Sequence, residues 1–212
     1  GYVRSACRSP SHREPWHSGS GDGTKAFSLE WFMLESSKRR MRWEEMKLIK
    51  LWEADFDRAY ELQNTFEQDE NGFINSAYGF SREEFQEYVK LRKQNSEGVN
   101  LPEGFVPDTV YLMEVQENYV GIFNLRHRLT EGLIHGAGHI GYGISPKYRG
   151  KGYAAKGLEM LLEIAGEIVP EEEIYLSVHK DNPASLNVQK KNGAYIHHEN
   201  EKEYFTRIPL KK

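Results

Sequence analysis

The sequence predicts a mixed α+β fold, and three observations predict it. Between His139 and Ala154, in HIGYGISPKYRGKGYA, a period-two alternation of Ile140, Tyr142 and Ile144 gives way to a helical period. Two helix starts are written in side chains: Ser81-Arg82-Glu83-Glu84 is a capping box, and Asp181-Asn182-Pro183 places a cap before a proline at the first helical position. Two β-rich runs, Thr109 to Val115 and Tyr119 to Leu129, flank the polar Gln116-Glu117-Asn118, the pattern of a hairpin.

Taken in order, Met46 to Trp52 reads as the first strand. Ala54 to Phe66 follows as a helix, and Asn71-Gly72 breaks the chain. The capping box opens a second helix to about Gln94, with Phe85, Tyr88, Val89 and Leu91 on its apolar stripe. Asn95 to Pro107 carries Gly and Pro breaks and is long enough to be a lid. After the hairpin, Thr130 to Gly138 is a turn into the strand at His139. Ser145-Pro146 ends that strand, because proline has no N–H to donate and biases its predecessor away from helix. Leu158, Leu161, Leu162, Ala165 and Ile168 mark one face of the central helix, and Lys156, Glu159, Glu163 and Glu167 the other. Ile174 to His179 is a strand. A short helix runs from Asn182 to about Asn192, where Gly193 stops it. Tyr195 to Glu199 and Glu203 to Pro209 form a final antiparallel pair.

The 212 residues suit one domain with a sizeable core. Residues 1–42 differ from the rest. They are rich in Ser, Gly, Pro, Arg and His and roughly +4 in formal charge, against roughly −8 for the remainder. They read as an extension arm, disordered or foreign to the fold, with a short apolar helix at Ala26 to Leu34. A natural start at Met41 or Met46 is expected, with the domain at 43–212. The net charge of −4 gives no reason for nucleic acid. No apolar run approaches a membrane span. Cys7 is the only cysteine, which excludes a disulfide framework and a Cys-based zinc site. His135 to His139 and His197-His198 lack a completing Cys or carboxylate pair, so no metal is expected.

Chemistry concentrates where the strand at His139 hands over to the central helix. A first helical turn presents unpartnered N–H groups and the positive end of the dipole. Gly150 and Gly152 let an anion approach the backbone, and Arg149 and Lys151 add charge. This is either a phosphate cradle or a basic connecting loop. It is not a nucleotide P-loop, which needs four residues between its glycines and a following Lys-Ser/Thr.

Arg149-x-x-Gly152-x-Ala154 resembles the Arg/Gln-x-x-Gly-x-Gly/Ala signature of the GNAT superfamily of N-acetyltransferases. The order of elements is similar as well, from about Met46 onward. The resemblance implies a mixed, mostly antiparallel sheet with helices on both faces and one parallel strand pair that splays apart. It implies acetyl-CoA as cosubstrate, its pyrophosphate held by Arg149, Gly150, Lys151, Gly152, Tyr153 and Ala154. Its pantetheine arm would pair with the strand edge at Tyr142 and Ile144. A second stretch, Asn182-x-x-Ser185, is similar to the family's Asn-x-x-Ser/Ala motif, with Asn182 at the pantetheine arm and Ser185 beside the thiol. As bare residues, Asn182 is equally an N-cap and Ser185 a first-turn residue.

One position departs from the family pattern. Gln189 stands where many relatives carry a Tyr that protonates the leaving thiolate, and an amide cannot do so. The proton would then come from Ser185 through water, from Tyr195 or from solvent. For the base, His139 has a suitable intrinsic pKa, and Glu114 on the hairpin is the alternative. Arg126, His127 and Arg128 are either an anion contact or a solvated strand end. The expected activity is acetyl transfer from acetyl-CoA to the primary amine of a small molecule or peptide, in a cytoplasmic protein for which a homodimer is left open. A non-catalytic acyl-CoA sensor is the alternative. The acceptor amine is not legible.

Overall fold

The computed structural model describes residues 46–211. The expected extension at 1–42 lies outside the described residues. The order is β1 (Met46–Lys50), a 3₁₀ turn, α1 (Phe56–Gln63), β2 (Asp69–Glu70), β3 (Phe73–Ile74), α2 (Arg82–Ser96), β4 (Asp108–Val115) and β5 (Asn118–Arg126). It continues through α3 (Glu131–Ile134), β6 (Ile140–Ile144), α4 (Tyr153–Ile168), β7 (Glu173–His179), α5 (Pro183–Lys191), β8 (Tyr195–Glu199) and β9 (Glu203–Pro209).

Two antiparallel sheets form the frame, β1-β4-β5-β6 and β7-β9-β8. β4 is buried along its whole length, because its alternating side chains enter two different cores. Tyr111 and Met113 join Phe123, Leu125 and Ile140 beneath α4. Val110 and Leu112 join Ile122 beneath α1 and α2, against Leu62, Phe66 and Phe85. Helices therefore cover both faces of the first sheet. α4 meets it through Leu158, Leu161 and Ala165, all fully buried. Burying a leucine contributes about 1.5–3 kcal/mol, so this face anchors the helix that carries the glycine loop.

Local signals act as their chemistry dictates. Ser81 accepts from the Glu84 N–H, and Glu84 accepts in return from the Ser81 N–H at 2.8 Å, closing the capping box that starts α2. Asn182 accepts from the Ser185 N–H at 3.0 Å and starts α5. Asn71 and Gly72 do more than break a helix. Both have positive φ (54° and 88°) and turn β2 back onto β3 as a two-residue hairpin. The expected turn between Leu129 and His139 contains a further helical turn, α3, capped by Thr130.

No ladder joins the sheets. They touch at one isolated bridge, Gly138 to Leu176. There the His139 N–H donates to Tyr175 O at 2.7 Å, and the Tyr175 N–H donates to His139 Nδ1 at 2.9 Å. From this joint β6 and β7 run the same way and part, their far ends meeting the β2–β3 hairpin at Gly143 and Gly72, the latter beside His179. Gly138 makes the close approach feasible. Its φ is +64°, and a Cβ there would lie 2.1 Å from Tyr175 O.

Gly138→Ala should therefore cost about 2 kcal/mol or more, read as a lower melting temperature. A variant as stable as the parent would show that the two sheets do not depend on this joint.

Candidate active site

The parting of β6 and β7 opens a cleft of about 1070 Å³. Its walls come from the β6 edge, the start of α4, α5, the β2–β3 hairpin and the ends of β4 and β5.

Backbone parity decides what β6 offers. The Arg126 N–H donates to His139 O, and the Ser145 N–H donates to Val120 O. The register between these bonds is continuous, with Phe123 opposite Tyr142 and Asn124 opposite Gly141. In an antiparallel ladder alternate residues face the partner strand. Residues 139, 141, 143 and 145 therefore bond to β5, and the N–H groups of Ile140, Tyr142 and Ile144 point to the cleft. The expected edge at Tyr142 and Ile144 lies there. The Ile144 carbonyl already accepts from Arg149 Nε at 2.9 Å.

The glycine loop sits at the mouth. Gly152 is the N-cap of α4, with φ 84° and no side-chain cap, so the first-turn N–H groups keep their full capacity for an anion. A Cβ at Gly150 would meet nothing within 4 Å. Open space, uncapped donors and the dipole together fit a phosphate group. The charges differ from expectation. Arg149 pairs with Glu70 on the hairpin, and Lys151 lies over the Tyr148 ring at 5.3 Å. Tyr153 packs into the core from the first turn of α4, and both Tyr153 and Ala154 line the cleft.

Across the cleft, Ser185 stands in the first turn of α5. Tyr142 reaches over from β6, its hydroxyl 2.8 Å from Ser185 Oγ and 3.2 Å from Ser185 O. Burial pushes the Tyr142 hydroxyl up to about 12, against the opposing hydrogen bonds to Ser185 and Gln189. Gln189 is buried and accepts from Thr206 Oγ1 at 2.7 Å. A phenol thus stands beside Ser185, and it comes from the strand rather than from α5. Asn182, besides capping α5, donates through Nδ2 to Asn71 O at 3.4 Å.

Both residues considered for the base stand elsewhere. His139 is fully buried at the joint between the sheets and does not line the cleft. Its Nδ1 accepts from Tyr175, so the ring proton belongs on Nε2, which lies 3.2 Å from Glu171 Oε2. Burial lowers the His139 pKa, and the Glu171 carboxylate only partly offsets that. Glu114 sits near the other end of the hairpin, paired with Lys47 at 3.1 Å. Strand position alone could not reveal either placement. Tyr195 is likewise remote; its hydroxyl donates to Glu173 at 2.9 Å.

On the face beneath α2, the cleft is lined by further residues of β5, Arg126 among them. Ile122, Asn124 and Arg126 project at every second position of β5. Asp108 stands opposite Arg126 and pairs with Arg92 of α2. The sequence does not single out Asn124; only its parity with Arg126 points to it. Among the described residues no three His, Cys, Asp or Glu are grouped to hold a metal ion, and no helix is long and apolar enough to cross a membrane.

A family model described as "Acetyltransferase (GNAT) domain" matches residues 45–195. Among solved structures, spermidine N-acetyltransferase from Vibrio cholerae, bound to CoA and spermine, is similar at 19% identity and TM-score 0.54, covering 79% of this chain and 96% of that one. The ribosomal L7/L12 α-N-protein acetyltransferase in complex with CoA is similar at 16% identity and TM-score 0.56, covering 78% and 94%. The microcin C7 self-immunity acetyltransferase, bound to acetyl-CoA and AMP, is similar at 13% identity and TM-score 0.54, covering 78% and 93%. At these identities the likeness is one of fold. No curated protein matches the chain.

The buried histidine yields a pH dependence. With its folded pKa below the unfolded value of about 6.5, the unfolded state binds the proton first. The stability this group contributes is present above about pH 6.5 and lost as pH falls through the lower folded value. The melting temperature should therefore drop on acidification, and His139→Gln, which can still accept from Tyr175, should remove part of that drop. An unchanged slope in the variant would mean that His139 is not the group responsible.

Proposed function

Because the chain belongs to the GNAT acetyltransferase family and is an acetyl-CoA-dependent acyltransferase, we propose that it moves the acetyl group of acetyl-CoA to a primary amine by direct attack in a ternary complex. The observation that carries this reading is the meeting, in one cleft, of an uncapped glycine-rich helix start and a strand edge with free N–H groups.

The pyrophosphate sits on the 150–154 backbone, with Lys151 nearby and Arg149 recruited from Glu70. The pantetheine amides pair with the β6 edge. This brings the thioester between the Tyr142 N–H and Ser185. The neutral amine attacks the thioester carbonyl carbon, and the carbonyl oxygen gains charge that a β6 N–H stabilises; one such donor is worth about 10²–10³ in rate. The C–S bond then breaks. Tyr142 donates its proton to the departing sulfur, and Ser185 holds the phenol in place. The proton released by the new amide nitrogen returns to the phenolate through Ser185 and water. His139 and Glu114 do not line the cleft, and His179, which does, stands at its hairpin end beside Gly72; the acceptor ammonium therefore loses its first proton to solvent, and positioning supplies most of the acceleration. A Tyr142 hydroxyl at Ser185, on the helix that carries Gln189, supports this reading over a sensor without chemistry.

Gly152→Asp should abolish CoA binding, since it puts a carboxylate where the pyrophosphate goes. Asp is a good N-cap and tolerates positive φ, so the fold should survive. Calorimetry showing undiminished CoA affinity in the folded variant would sink the proposal.

Tyr142→Phe should lower kcat by about 10²-fold while the KM for acetyl-CoA changes little. With a hydroxyl that titrates near 12, Tyr142 adds no limb to the pH profile below about pH 10. The rise of kcat/KM with pH should instead follow the acceptor amine, about 7.7–8.0 for an α-amino group and about 10.4 for a lysine-like one. A Tyr142→Phe enzyme with parental kcat would assign thiolate protonation to solvent.

A further inference from the structure

The part of the cleft beneath α2 holds more positive charge than it pairs. Arg92 and Asp108 form an ion pair whose side chains are 16% and 12% exposed. Arg126 stands across from Asp108 in register and adds a second guanidinium. Its Nη1 donates to Gly138 O at 3.1 Å, which satisfies a hydrogen bond but not a charge. Arg92 Nε is buried without a hydrogen-bond partner. Two guanidiniums thus share one carboxylate where solvent screens poorly, and a buried charge without a counter-charge is costly. Burial bears on Arg126 in the same sense, lowering its pKa against the opposing pull of Asp108.

A second orphan group lies beside this cluster. Asn124 Oδ1 is buried and lacks a hydrogen-bond partner. Asn124 lies directly across from Gly141, where a Cβ would meet nothing within 4 Å. The space above Gly141 is therefore open next to the Tyr142 N–H. Along β5, Arg126 is two residues beyond Asn124, about 7 Å of strand. An amine held at Asn124 would have its other end at the two arginines.

We propose that the acceptor is a small amine that also carries a carboxylate. Its carboxylate completes the Arg92–Asp108–Arg126 cluster, and its amine donates to Asn124 Oδ1 and faces the thioester. This rests on the transferase reading above and narrows it to a substrate class. A polyamine is the wrong partner for this surface, because its second ammonium would be placed against two guanidiniums.

The test uses matched pairs: an amino acid against its carboxamide, with spermidine as the polycationic control. Acetyl transfer by the full chain should favour the free carboxylate by about tenfold or more in kcat/KM, the range of a charge-assisted contact. Arg126→Gln should raise the KM of the carboxylate acceptor towards that of its carboxamide and leave the KM for acetyl-CoA unchanged. Arg126→Lys, which keeps the charge, should retain part of the preference and controls for loss of fold. The same pairs titrated calorimetrically into the protein–CoA complex read the preference without turnover. Carboxylate binding without acetylation of any amine would defeat the transferase reading and uphold the carboxylate site. Acetylation that prefers spermidine, or equal treatment of acid and amide by the parent protein, would overturn the carboxylate site and leave the transferase reading standing. A preference untouched by Arg126→Gln would overturn it as well.

Discussion

The joint between the two sheets is the constraint on which the rest of the structure depends. His139 and Tyr175 exchange hydrogen bonds there, one through the His139 backbone and one through its ring. Gly138 has no side chain to hold the strands apart. Because the contact is confined to one end, β6 and β7 separate beyond it and leave one backbone edge of β6 facing the cleft. A buried N–H without a partner is costly. Along β6 the cleft keeps those groups open to solvent, and a ligand with amide groups could pair with them.

β6 also shows how few residues are needed to serve several demands. Its backbone bonds to β5 on one edge and addresses the cleft on the other. Ile140 and Ile144 are sunk beneath α4, while Gly141 leaves the opposite face bare. Tyr142 stacks on Phe123 at 5.8 Å and still delivers its hydroxyl to Ser185. A short strand thereby anchors the core, offers donors and places a proton.

Much of this is legible in the sequence because it is local. Caps, periodicity and the glycine loop point to the helices, the strands and the fold class, and the strand edge at Tyr142 and Ile144 follows from the family resemblance. What escapes is whatever depends on residues distant in the chain. His139 looks available because it opens a strand, but Tyr175 of β7 and Glu171 in the turn before it enclose the ring. Glu114 looks near the site, but its pairing with Lys47 puts it at the opposite end of the hairpin. Gln189 reads as a missing acid, since nothing in a linear reading brings Tyr142 within reach of the same helix. Asn71-Gly72 reads as a break, although the dipeptide is a strong hairpin signal. The strands it joins are only two residues each, too short to register as a pattern.

That hairpin sets the terms on which an anion enters. Glu70 already occupies the Arg149 guanidinium, and Asn71 holds Asn182 on the far wall. Both lips of the opening are thus tied to one small loop. A phosphate bound as proposed would meet Arg149 with a resident counter-ion, so association there would be an exchange in which one anion displaces another. Its yield is the difference between two attractions, smaller than a bare arginine would give. The displaced carboxylate would be left beside the newcomer and repel it. On the proposed reading, an anion at the loop is held chiefly by the uncharged donors of the helix start, which have no counter-ion to displace.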